Sequence, residues 1–118
     1  FSQGTMMALH VGLRRPNQLA GIIGYSGMLV GQELLPDAIK SRPPVLLVHG
    51  DEDDVVPVDA LPQAVGGLEA VGITARHHSC PGLGHGLDDA GVRHGMDFLA
   101  DIFGVDLQAM AAETPPGI

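Results

Sequence analysis

The segment "PPVLLVHG" at residues 43–50 constrains this chain most. Four consecutive apolar residues, 45–48, lie between two prolines and a His-Gly pair. A run without polar alternation reads as a strand buried on both faces, the usual state of a strand inside a parallel sheet. Parallel strands need long crossovers, so helices are expected on both sides of it. The flanking sequence supplies them. In "TMMALHVGLRR", residues 5–15, Met6, Leu9, His10 and Leu13 recur at helical spacing, and Pro16 stops the pattern. "LAGIIGYSG", rich in isoleucine, reads as a second buried strand followed by a turn. Residues 28–42 read as a loop with one helical turn at "LLPDAIK". Residues 59–71 read as a helix, with Asp59 as its cap and Pro62 tolerable in the first turn. "ITARHHSC" is a third, more polar strand, and "PGLGHGLDD" a loop. The last helix, 89–103, places Val92, Met96, Leu99 and Phe103 on one face.

The order is helix, strand, strand, helix, strand, helix. It implies an α/β sheet with right-handed crossovers. Three strands make a thin sheet, and the first helix has no strand before it. The expectation is the C-terminal part of a larger α/β domain, residues 1–104, followed by a Pro-rich tail at 105–118.

Composition narrows the function. The chain has 118 residues, 45% hydrophobic and 17% charged, which is a globular composition. The net charge is −8 with only six basic residues, so nucleic acid and anionic membranes are poor partners. Cys80 is the single cysteine, so neither an intrachain disulfide nor a cysteine-based zinc site can form. No apolar run approaches the ~20 residues that cross a bilayer, and the first residues do not resemble a signal peptide. A cytoplasmic location, with no membrane insertion, is the resulting expectation.

Three places can carry chemistry. "FSQG" opens the chain and matches the last four positions of G-x-S-x-G, in which a serine sits on a strained turn before a helix. The backbone N–H of Gln3 would then help to bind an oxyanion near the positive end of the helix dipole. On these four residues alone, Ser2 reads first as a helix cap. "HGDEDDVVP" follows the central strand, and functional groups of α/β sheets gather at carboxyl ends of strands. Its acids, Asp51 to Asp54, also allow a solvated turn or a metal-binding module. His49 is placed to orient this turn. His85 in "PGLGHG" has glycine neighbours that suit a loop aiming an imidazole at a fixed point. His77 and His78 are adjacent on a strand and cannot chelate one metal together. His10 and His94 read as surface or packing residues. The order Ser2, Asp53, His85 is that of α/β-hydrolase triads, and it reverses the capping reading of Ser2.

"FSQGTMMALHVGLRRP", "IIGYSGML", "PPVLLVHGDEDDVVP" and "CPGLGHGLDD" together resemble the C-terminal half of the phospholipase/carboxylesterase family, which includes bacterial carboxylesterases and acyl-protein thioesterases. The resemblance runs to about residue 103. It implies an α/β-hydrolase fold, a three-layer αβα sandwich around a mostly parallel sheet whose N-terminal strands this chain lacks. It implies Ser2 as nucleophile, Asp53 as triad acid and His85 as base, with the chain starting inside the nucleophile elbow. Asp54 stands where the family commonly has proline and could compete with Asp53. The spacing from His49 and to Pro57 selects Asp53.

The expected activity is hydrolysis of small carboxylic esters with short to medium acyl chains, through an acyl-enzyme and without a metal or organic cofactor. Acyl-protein thioesterase or lysophospholipase activity is the alternative. A catalytically incomplete structural fragment that needs the N-terminal half as partner is a further one. The resemblance also allows a homodimer. Met28, Leu29 and Val56 are the expected acyl-pocket residues, with Val30, Leu34 and Leu35 beside them in "MLVGQELL". The competing reading is that some of these only pack the loop down.

Overall fold

A computed structural model describes residues 1–106, so most of the tail expected at 105–118 lies outside the described residues. Helix α1 is Gln3–Gly12, strand β1 Ile22–Tyr25, helix α2 Leu35–Ala38 and strand β2 Val45–Gly50. Helix α3, Ala60–Glu69, strand β3, Ala75–Cys80, and helix α4, Asp89–Phe103, complete the order. The three strands are parallel, with β2 in the centre. Ile22 pairs with Val45 and Tyr25 with Val48, while Val45 pairs with Ala75 and Gly50 with Cys80. All three carboxyl ends therefore lie on one edge of the sheet.

Alternation along β2 divides the core. Val45 and Leu47 face α1 and α3, where Leu9, Leu13, Leu61, Ala64 and Leu68 bury against them. Leu46 and Val48 face α4, joined by Cys80 and Phe98. Each such leucine contributes about 1.5–3 kcal/mol by leaving water, which is why a strand with no polar residue sits in the middle layer.

The first turn of α1 presses closely on β1. A Cβ on Gly24 would lie 2.5 Å from Thr5 Cγ2, and one on Gly27 would lie 2.5 Å from Thr5 Cβ. Thr5 also donates its hydroxyl to the Tyr25 carbonyl at 2.9 Å.

Two expectations are corrected. The stripe Val92, Met96, Leu99 and Phe103 is exposed, between 44% and 63%. The buried side of α4 instead runs through Gly91, Gly95, Phe98 and Ala100. Glycines carry no hydrophobic signal, yet here they admit Tyr25. The Tyr25 hydroxyl donates to the Gly91 carbonyl at 3.0 Å, and a Cβ on Gly95 would collide with that hydroxyl. Asp59 stands at the start of α3 but makes no capping bond, because its backbone is already helical. Asp88 does cap α4, accepting from the Gly91 N–H at 2.7 Å.

Candidate active site

Ser2 stands at the N-terminus of α1 with φ 51° and ψ −115°, a region that costs roughly 1–3 kcal/mol for a residue with a side chain. The surroundings impose it. The Ser2 N–H donates to the Tyr25 carbonyl at 2.8 Å, and the Ser2 carbonyl accepts from the Met6 N–H at 3.1 Å. The Ser2 hydroxyl makes no capping bond to the helix it precedes. It lies 3.1 Å from Nε2 of His85. Gln3 is the first helical residue, so its N–H has no intrahelical acceptor.

Asp53 belongs to the turn after β2. Its side chain is fully buried, and Oδ2 lies 2.8 Å from Nδ1 of His85. Oδ1 accepts two N–H bonds, from Val55 and Val56, both at 2.8 Å. Burial pushes the Asp53 carboxyl up. The His85 bond, the Val56 and Val55 N–H bonds and the attraction of His85 outweigh it, and the carboxyl rests below its ordinary value. An ionised Asp53 makes Nδ1 of His85 the protonated nitrogen. Nε2 is then left to accept from Ser2. Asp54, the neighbouring acid, is exposed.

His49 is buried, and its Nε2–H donates to the Val56 carbonyl at 2.7 Å while lying 3.3 Å from Asp53 Oδ2. It closes the turn that presents Asp53. Gly50 has a different task. A Cβ there would strike the carbonyl oxygens of Leu83 and Gly84, so only glycine lets the His85 loop lie on this turn. The loop is held by Glu52 N–H to the Leu83 carbonyl at 2.9 Å and by Gly82 N–H to Asp51 Oδ1 at 2.8 Å. The Ser26 hydroxyl, buried at the end of β1, donates to the Gly86 carbonyl at 3.2 Å. Neither Ser26 nor Gly50 stood out in the sequence. The glycines flanking Ser26 in "GYSG" were the one available signal. Phe1 packs its ring against His85 at 4.9 Å.

The other candidates separate from this cluster. Burial, together with the nearby Asp88 and Asp51 carboxylates, pushes the Cys80 thiol up to about 11, so Cys80 is a neutral thiol near pH 7. His78 stacks on His94 at 4.0 Å, and His77 is exposed. Among the described residues no three His, Cys, Asp or Glu side chains gather as a metal site, and the carboxylates of Asp51 and Asp53 hold N–H groups and His85 instead.

The expected acyl-pocket residues diverge. Met28 lines a cleft of about 230 Å³ with Pro57, Asp59, Ala60 and Gln63. Leu29 packs against the core, its Cδ2 filling the space beside Gly67. The Val56 side chain is buried and lines neither this cleft nor the one beside Val30, and its backbone N–H and carbonyl are bonded to Asp53 and His49. Leu35 is buried in the core, while Leu34 is exposed. Val30 lines a second cleft, of about 560 Å³, with Gln3, Met6, Met7 and His10.

A family model described as Phospholipase/Carboxylesterase matches residues 1–102. The chain belongs to this family. Acyl-protein thioesterase 1 of Gibberella zeae is 33% identical over 90 residues, 72% of this chain and 38% of that protein. Acyl-protein thioesterase 1 of Schizosaccharomyces pombe is 43% identical over 60 residues, 48% of this chain and 27% of that protein. The crystal structure of esterase PE8 matches with a TM-score of 0.84 at 49% identity, over 86% of this chain and 47% of that one. Arabidopsis thaliana SOBER1 matches with a TM-score of 0.81 at 24% identity, which bears on the fold alone. The chain spans less than half the length of these curated relatives. Over the part it spans, the fold is that of an α/β-hydrolase. No helix among the described residues is long and apolar enough to cross a membrane.

Proposed function

We propose that the protein hydrolyses carboxylic esters with Ser2 as nucleophile, His85 as general base and Asp53 as the group that orients and charges the base. The observation that carries this is the chain of contacts from Ser2 Oγ to His85 Nε2 at 3.1 Å and from His85 Nδ1 to Asp53 Oδ2 at 2.8 Å. A hydroxyl that forgoes capping, on a residue held at positive φ, supports the same reading.

The steps follow from these positions. Ser2 Oγ attacks the ester carbonyl carbon and its proton passes to Nε2 of His85. The carbonyl oxygen becomes an oxyanion beside the Gln3 N–H, near the positive end of α1. The intermediate collapses, the alkoxide leaves with the proton from Nε2, and an acyl-serine remains. Water then gives a proton to Nε2 and attacks the acyl carbon, which releases the acid and restores Ser2. Asp53 stays ionised throughout and stabilises the imidazolium. Proton transfer by His85 contributes roughly 10²–10⁴-fold, and one oxyanion donor roughly 10²–10³-fold. No step calls for a metal.

Short to medium acyl esters are the proposed substrates, with Met28 at the cleft that would meet the acyl chain. Thioesters are the second reading, favoured by the likeness to two proteins named acyl-protein thioesterase 1. Hydrolysis of p-nitrophenyl acetate and butyrate against the matching thioesters, by the whole protein and its Ser2→Ala variant, decides. Loss of both activities with Ser2→Ala is expected; activity that survives it refutes the mechanism.

A further inference from the structure

The geometry points to Ser26 as a positioning residue that holds His85 over Ser2; this rests on the triad proposed above. Ser26 is 1% exposed and has φ 55°. That conformation is uncommon for serine and has a visible result. The Ser26 N–H stays on the sheet, donating to the Val48 carbonyl at 2.9 Å, while its hydroxyl reaches the Gly86 carbonyl at 3.2 Å. Gly86 is the residue directly after His85.

The neighbours of Ser26 hold the nucleophile. The Tyr25 carbonyl takes the Ser2 N–H at 2.8 Å, and a Cβ on Gly27 would lie 3.0 Å from the Ser2 carbonyl oxygen. Residues 25–27 thus touch the nucleophile turn and the base loop at once. The loop's other anchors, Glu52 to Leu83 and Gly82 to Asp51, tie it to the Asp53 turn. They set His85 against its acid. Among the described residues, Ser26 supplies the bond that sets the His85 loop against β1, and through β1 against Ser2. Without it, that spacing would rest on the Ser2–His85 contact, the Phe1 ring against His85 and the anchors to the Asp53 turn.

Substitution can separate positioning from stability here, because glycine accepts φ 55° more readily than serine does. Ser26→Gly removes the hydroxyl and relieves the backbone. The expected result in the whole protein is a Tm equal to or above wild type, a kcat roughly tenfold to 10²-fold lower and an unchanged KM, since misplacement of catalytic groups costs on that order. A purely structural hydroxyl would lower Tm without that split. Wild-type kcat in Ser26→Gly overturns the inference, and so does a kcat loss accompanied by an equal rise in KM. If the wild-type protein hydrolyses neither ester nor thioester, the triad reading fails, and His85 itself then tests the positioning. The His85 ring signals in NMR, assigned with His85→Ala, should shift or broaden in Ser26→Gly. Signals identical to wild type overturn the inference on that arm.

Discussion

Replacing Asp53 by asparagine keeps the shape of the side chain and changes which nitrogen of His85 carries the proton. Oδ1 of Asp53 accepts two backbone N–H bonds at 2.8 Å, from Val55 and Val56. An asparagine must keep its carbonyl oxygen there. The flipped amide would aim its NH₂ at two donors and leave both without an acceptor, at about 1–3 kcal/mol for each buried group. The NH₂ therefore takes the Oδ2 position, 2.8 Å from Nδ1 of His85. Nδ1 must then accept, and the proton moves to Nε2, 3.1 Å from the Ser2 hydroxyl. A protonated Nε2 cannot take the serine proton. The expected loss in kcat is ~10⁴-fold, or about 5 kcal/mol of transition-state stabilisation, by analogy with the same change in a serine-protease triad. The assay is p-nitrophenyl acetate turnover by the whole protein, with circular dichroism to show that the fold persists. Asp54→Asn is the control, and near wild-type activity is expected because Asp54 is exposed. Asp53→Asn retaining a tenth of the activity, or Asp54→Asn losing most of it, refutes the tautomer argument.

Ser2→Ala should abolish both ester turnover and labelling by a fluorophosphonate, and should not lower Tm, since alanine loses no capping bond; persistent labelling would place the nucleophile elsewhere. Gly50→Ala should destabilise at the upper end of the roughly 1–3 kcal/mol that overpacking costs, because the obstacles are the Leu83 and Gly84 carbonyls and not a movable side-chain tip; an unchanged denaturant midpoint would contradict the close approach. Asp53 titrates lower in the folded state than in the unfolded one, so its stabilisation is complete above its ordinary value of 3.8 and is lost as pH falls through the depressed one; Asp53→Asn should flatten the acid limb of Tm against pH. A chelator should leave ester turnover unchanged, and inhibition would revive the metal reading of Asp51 to Asp54.

What was legible in the sequence was what obeys periodicity and order. The continuous apolar run of β2 announced a central strand, and Ser2, Asp53 and His85 were singled out by type, order and placement after strands. Failures came where the packing residue is glycine. The apolar stripe of α4 pointed one residue away from its buried face, because Gly91 and Gly95 meet Tyr25 where a hydrophobic pattern expects a large side chain. Val56 reads as pocket lining because its side chain is apolar, whereas the bonds of its backbone to His49 and Asp53 follow no sequence pattern. The reach of Ser26 to Gly86 joins residues 60 apart and depends on one backbone angle, so composition could not show it.

Among the described residues only two that are not glycine have positive φ, and they are Ser2 and Ser26. Both are serines at the carboxyl edge of the sheet, joined through Tyr25. Local preference would place glycine or asparagine at such angles. Chance strain has no reason to collect at one end of the fold, and an element retained only for stability would relax it. At Ser2 the angle turns the hydroxyl away from the helix N–H groups and toward His85. At Ser26 it turns a second hydroxyl off the sheet toward the His85 loop. Each angle thus directs an oxygen that glycine could not supply, and each costs stability that the buried core on either side of β2 offsets. This predicts opposite signs for the two properties at both positions: glycine at Ser2 or at Ser26 should hold or raise Tm while it lowers kcat. A glycine substitution at either position that loses stability and keeps wild-type kcat would show that the serine serves the fold alone, and would remove this argument for a functional site at the strand ends.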